Sequence, residues 1–111
     1  MRRKGLKLLF VALLMAATAL QAQETRGQIL GRVTDPTGAV VVGAAVTGVN
    51  TGTNVRTVGS TNQSGDFVLP FLIPGAYTVT VEMTGFKKFV QEGIGVQVND
   101  RATLNVSLEI G

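Results

Sequence analysis

Pro74-Gly75-Ala76-Tyr77-Thr78-Val79-Thr80-Val81-Glu82-Met83 is the stretch that decides the fold. Tyr77, Val79, Val81 and Met83 alternate with Thr78, Thr80 and Glu82, and successive side chains of a strand point to opposite faces, so one face is dry and the other wet. The segment is a half-buried strand. Pro74-Gly75 ahead of it carries a type II turn signal, and Gly85 ends it. Toward the C-terminus, Phe89 to Val98 sets Ile94, Val96 and Val98 on one face, and Asn99-Asp100 makes a tight turn. The last strand, Ala102 to Ile110, then sets Leu104, Val106, Leu108 and Ile110 against Thr103, Asn105, Ser107 and Glu109.

Toward the N-terminus, Phe71-Leu72-Ile73 lies between Pro70 and Pro74, and Phe67 to Leu69 forms a strand entered from the turn Asn62-Gln63-Ser64-Gly65. Asn54 to Ser60 is a polar strand suited to a sheet edge. Val40 to Val42 and Ala45 to Asn50, split by Gly43, run their apolar residues together as buried strands do. The first run, Gln28 to Thr34, puts Ile29, Gly31 and Val33 on one face and stops at Asp35-Pro36-Thr37-Gly38, where Pro presets a turn dihedral and Gly tolerates positive φ.

No stretch from Gln28 onward sustains helical periodicity. The class is therefore all-β, with about seven strands, enough for a Greek-key β-sandwich of two packed sheets. Its expected core is Ile29, Val33, Val46, Phe67, Leu69, Tyr77, Val79, Val81, Ile94, Val96, Leu104, Val106 and Leu108. A domain of this size buries only about 60–65% of its unfolded surface, so these faces supply nearly all its stability.

Ahead of the sandwich, Arg2, Arg3, Lys4 and Lys7 precede the uncharged run Leu8 to Leu20, the pattern of a signal peptide. The run is shorter than the roughly 20 residues a spanning helix needs. Cleavage after Ala22 is preferred to cleavage after Ala19, because the apolar run ends just before it. The division is then a cleaved signal peptide over residues 1–22, a short linker over 23–27 and the sandwich over 28–110.

The formal charge is +3, but four of the ten basic residues belong to that leader. Without them six basic residues face seven acidic ones, or −1, so the basic character is not on the folded module and no nucleic-acid partner is expected. The chain contains no Cys and no His. That removes disulfides, thiolate metal sites, a lipobox cysteine, the usual general base and any Ser-His dyad, so no enzyme and no cofactor is expected. Asp35, Asp66 and Asp100 each lie in a turn. With no closely spaced acidic cluster they read as turn caps, not calcium ligands. Gly93-Ile94-Gly95 has no helix after it to meet a phosphate.

Two surface features remain as candidate binding elements. Val55, Arg56, Thr57 and Val58 lie in the polar edge strand, whose unpaired backbone groups could accept an added strand. Phe71 and Phe89 are the aromatic residues expected to be exposed, and an exposed ring is what a stacked glycan would use.

Four motifs taken in order resemble a known family: Gly31-Arg32-Val33-Thr34-Asp35 with Gly38; Gly43-Ala44-Ala45-Val46; Thr61-Asn62 with Gly65-Asp66-Phe67; and Leu72-Ile73-Pro74-Gly75-Ala76-Tyr77, closed by Gly85-Phe86-Lys87. Their order and spacing resemble the carboxypeptidase regulatory-like domain. The resemblance implies a prealbumin-like (transthyretin-like), Ig-like sandwich, grouped with carbohydrate-binding-like folds, and a domain accessory to an enzyme whose metal site lies elsewhere. A leader followed by such a domain looks most like the N-terminal extension of TonB-dependent outer-membrane receptors. The resemblance then implies location in the periplasm or outer membrane and a partner that is either an envelope protein or the rest of a receptor chain. Membrane contact would come only through a downstream barrel not present in these residues. A fragment, a truncated product and a stand-alone periplasmic or secreted carbohydrate-binding protein all fit the same sequence.

Overall fold

A computed structural model describes residues 26–111, so the signal peptide expected over 1–22 lies outside the described residues, with most of the linker. The strands are β1 (Gly27–Thr34), β2 (Ala45–Asn50), β3 (Arg56–Ser60), β4 (Asp66–Leu72), β5 (Gly75–Glu82), β6 (Phe89–Val96), β7 (Arg101–Thr103) and β8 (Val106–Ser107). One sheet has the order β4-β1-β7, with β8 also on β1; the other runs β3-β2-β5-β6. The two sheets pack as a sandwich, and the described residues contain no helix.

The alternating residues of β5 do what their period requires: Tyr77, Val79 and Val81 are buried, while Thr78 and Thr80 are only partly covered. Opposite them, Ile29 and Val33 of β1 and Phe67 and Leu69 of β4 supply the facing layer. Eleven of the thirteen expected core residues are fully buried; Ile94 and Leu104 are partly buried and pack against that core. Val41, Ala44 and Leu72 join it.

Four expectations are corrected. The single last strand is two short ones, β7 and β8, for a total of eight strands. Both pair with β1 in parallel, and Gln28↔Arg101 and Val33↔Val106 keep one register. The interruption falls where the Asn105 side-chain oxygen accepts from Arg32 N in place of a ladder carbonyl, and where Gly31 lies so close to the Leu104 carbonyl that a Cβ would overlap it. Val40 to Val42 is a loop, not a strand. One isolated antiparallel bridge, Thr34↔Val40, with Val41 N donating to Val33 O, ties this segment to β1. The buried Thr61 hydroxyl, donating to Val41 O at 2.6 Å and accepting from Ala44 N at 2.9 Å, completes its hold. Val98 and Ile110, expected on dry faces, are exposed, because β6 ends at Val96 and β8 at Ser107. Gly75 has φ 155°, outside the range a type II turn needs, and enters β5 directly with Asn50 against it.

Two loops at one end share one design. Asp35 and Asn62 each accept with Oδ1 from the backbone N–H two and four residues on. Each also accepts at its carbonyl from Gly38 or Gly65, and donates its own N–H to Ala39 O or Asp66 O. Both glycines have positive φ. The loops are stacked: Val33 N donates to Gly65 O, and Gly65 lies against Val40.

With no cross-link available, stability should respond to core volume. Leu69→Ala removes a fully buried side chain, and the urea midpoint should fall by an amount equivalent to about 2–5 kcal/mol. A loss near zero would show that Leu69 is not at the centre of the core.

Candidate functional site

β3 is an edge strand, bonded to β2 alone. Asn50 N donates to Val55 O and Thr61 N to Ala44 O. Antiparallel ladders alternate bonded and non-bonded pairs, so Thr57 and Gly59 turn their N–H and C=O toward β2. The backbone groups of Arg56, Val58 and Ser60 therefore point away from the sheet. Val58 is 68% exposed and Val55 is also exposed. Arg56 makes no ion pair among the described residues, whereas Arg32, Lys87 and Lys88 pair with Asp66, Glu109 and Glu82.

Phe71 belongs to the same corner. It is 77% exposed, and it lines one cleft with Val55, Thr57, Ile73, Asn50 and Arg26. Its placement comes from a bulge: Gly27 pairs with Leu72 and Ile29 with Leu69, so Pro70 and Phe71 together face Gln28. Phe71 has φ 56°, a left-handed conformation that a bulky residue adopts at a cost. The Arg26 guanidinium donates to its carbonyl at 3.4 Å. Phe89, expected to be exposed with Phe71, is partly buried against the core instead, because its strand pairs it with Val81.

The fold thus brings the edge residues and Phe71 into one region and removes Phe89 from it. Ile73 completes that region and was missed. A signal for the bulge was present in the sequence: buried Phe67, Leu69 and Leu72 are spaced by two and then by three, which is the mark of one extra residue in a strand.

The three carboxylates expected in turns are all engaged, but Asp66 opens β4 opposite Arg32 instead of lying in a turn. Asp66 takes Arg32 Nε at 2.9 Å, and Asp100 accepts from Gln97 N. Asp35 also accepts from the Thr37 hydroxyl at 2.6 Å. Among the described residues no three acidic side chains are grouped to hold a metal ion.

The carboxypeptidase regulatory-like domain model matches residues 28–109. The chain belongs to that family. A domain of this family is a regulatory, non-catalytic β-sandwich module. No curated protein matches the sequence. Among solved structures, the Bacillus anthracis TIE protein is similar over 78% of this chain, with a TM-score of 0.66 and 22% identity. A candidate carbohydrate binding protein from Bacteroides uniformis is similar over 75%, with a TM-score of 0.60 and 19% identity. Catechol 1,2 dioxygenase from Acinetobacter radioresistens is similar over 82%, with a TM-score of 0.63 and 14% identity. This chain spans 17%, 41% and 54% of those three, and at such identities the likeness is one of fold.

The Thr37 hydroxyl, with the backbone N–H groups of Ala39, Thr37 and Gly38, holds the Asp35 carboxyl below its ordinary value of 3.8 against a smaller desolvation effect. A depressed folded-state pKa gives stability that is present above the unfolded value and lost as pH falls through the folded one. Asp35→Asn keeps the turn acceptor, as Asn62 does in the matching loop. The variant should therefore lose less stability than the parent between pH 4 and pH 2 in thermal melts. Identical slopes would show that Asp35 does not contribute.

Proposed function

We propose that the chain is an exported, non-catalytic interaction module, the N-terminal domain of a TonB-dependent receptor-type protein of the cell envelope. In this reading the β3 edge meets an envelope protein or the rest of the receptor chain, and any membrane contact belongs to a barrel downstream. The observation that carries it is that edge: a regular ladder with outward backbone groups, in a family that regulates and binds rather than catalyses. The leader pattern supports export, and the sandwich class supports a module that works by contact.

The rival reading is a carbohydrate-binding protein of the periplasm or the secreted fraction. What favours it is the Phe71 ring, exposed beside Asn50, Thr53 and Arg26, since polar groups around an aromatic face suit a sugar.

Mass spectrometry of envelope fractions tests the first reading. It should find a new N-terminus at Gln23 or Leu20, in a polypeptide that continues beyond Gly111 into plug and barrel sequence. Intact Met1 retained in the membrane would count against export. A stop after Gly111, together with glycan-array binding that disappears in Phe71→Gly, would favour the rival.

A further inference from the structure

The five strands at sheet margins are not equally protected. β4 contains Pro70, which has no N–H to offer, and the bulge at Phe71. β6 carries a bulge between its pairings with Tyr77 and Val79, with Gly93 at φ 72° and Glu92 exposed. β7 is three residues long and β8 two. Proline, bulges, charge and shortness are the usual means of blocking edge pairing. β3 has none of them except Arg56: five residues pair with β2 without a register shift.

We propose that β3 pairs with β3 of a second copy of this chain, antiparallel about a two-fold axis through Val58. The proposal rests on β3 being the interaction edge, takes the protein that meets that edge to be a second copy of this chain, and does not depend on where the protein resides.

Register follows from which groups point outward. Only Arg56, Val58 and Ser60 offer free N–H and C=O groups, so hydrogen-bonded pairs must join those residues. An axis at Val58 pairs Val58 with its twin and Arg56 with Ser60 in both directions, making six backbone hydrogen bonds. An axis at Arg56 would oppose the two guanidinium groups, and like charges directly across a ladder repel. An axis at Thr57 keeps only four bonds, because Asn54 has turned out of the strand at φ 60°. The Val58 register therefore has the most bonds and no opposed charges. It also covers the exposed Val58 side chain with its twin across the ladder.

Charge does not stand against a self-partner. From Gln23 onward the chain holds six basic side chains (Arg26, Arg32, Arg56, Lys87, Lys88, Arg101) and seven acidic ones (Glu24, Asp35, Asp66, Glu82, Glu92, Asp100, Glu109), a net of −1. Two copies therefore meet little net repulsion. Pairing joins two four-stranded sheets into one of eight strands. Because a two-fold contact uses the same edge from both copies, it closes, and β3 is not left open to propagate.

Sedimentation equilibrium on the chain from Gln23 onward, which carries the whole core, tests this. The expected result is a monomer–dimer equilibrium with Kd on the order of tens of micromolar. Val58→Pro removes an outward N–H that bonds nothing within the copy. It should weaken the dimer at least about tenfold while leaving the monomer's melting temperature near that of the parent. Ser60→Arg, placed opposite Arg56 of the second copy, should also weaken it, and Ser60→Asp should tighten it. A monomer at every concentration up to the millimolar range overturns the proposal. So does a dimer that a folded Val58→Pro variant forms equally well, or one that responds alike to Ser60→Arg and Ser60→Asp. Because the export reading is tested separately by the N-terminus in envelope fractions, either can fail without the other.

Discussion

Leu69 is the contact on which the two sheets depend. It projects from β4 toward Gly48 of β2 and Gly59 of β3. A Cβ built on Gly48 would come within 2.9 Å of its Cδ1, and one on Gly59 within 3.3 Å of its Cδ2. Two strands of one sheet thus leave a hollow that a branched side chain of the other sheet fills. Packing at this density is what a chain without cysteine has in place of cross-links. The same contact fixes where β3 lies, because Gly59 also rests against the Val68 carbonyl. The inner face of β3 is committed to the sandwich, and only its far backbone edge and its outer side chains remain available.

What could be read in the sequence was what is local. The alternation of Tyr77, Val79 and Val81, and of Leu104, Val106 and Leu108, identified inward faces that hold even though β7 and β8 interrupt the last strand. A side chain's face depends on its register, and the interruption at Asn105 leaves the register with β1 unchanged. The Asp35 and Asn62 turns were legible because Asx and Gly at fixed spacing act within a few residues. The parallel pairing of β1 with β7 and β8 was not, since it joins residues 73 apart by contacts that no periodicity encodes.

The misplaced residues have the same cause. Val41 and Ala44 are buried by Thr61, some 20 residues on, whose hydroxyl does the work of a ladder bond. Phe89 reads as exposed at the start of a strand, but pairing with Val81 draws it onto the core. Phe71 differs: its exposure was legible between two prolines, while its left-handed backbone was not. A residue enters that conformation only where the surrounding bonds impose it, and here the carbonyl is tied to Arg26 and the flanking register to β1.

The fold is shared with a dioxygenase, yet a sandwich scaffold carries chemistry only through the side chains its loops and edges present. In this chain those side chains serve the backbone. Asp35, Asn50 and Asn62 each spend Oδ1 on two or more backbone N–H groups of their own loops. Asp66 is held by Arg32, and the chain has no imidazole or thiol to add. Buried side-chain polar atoms without partners, which often mark a site built for a ligand, are absent among the described residues. The most regular row of groups still short of partners is on the main chain, the outward N–H and C=O of Arg56, Val58 and Ser60. Unspent hydrogen-bonding capacity along a strand edge is suited to meeting other backbone, and specificity there would come from register and from the few side chains that flank it.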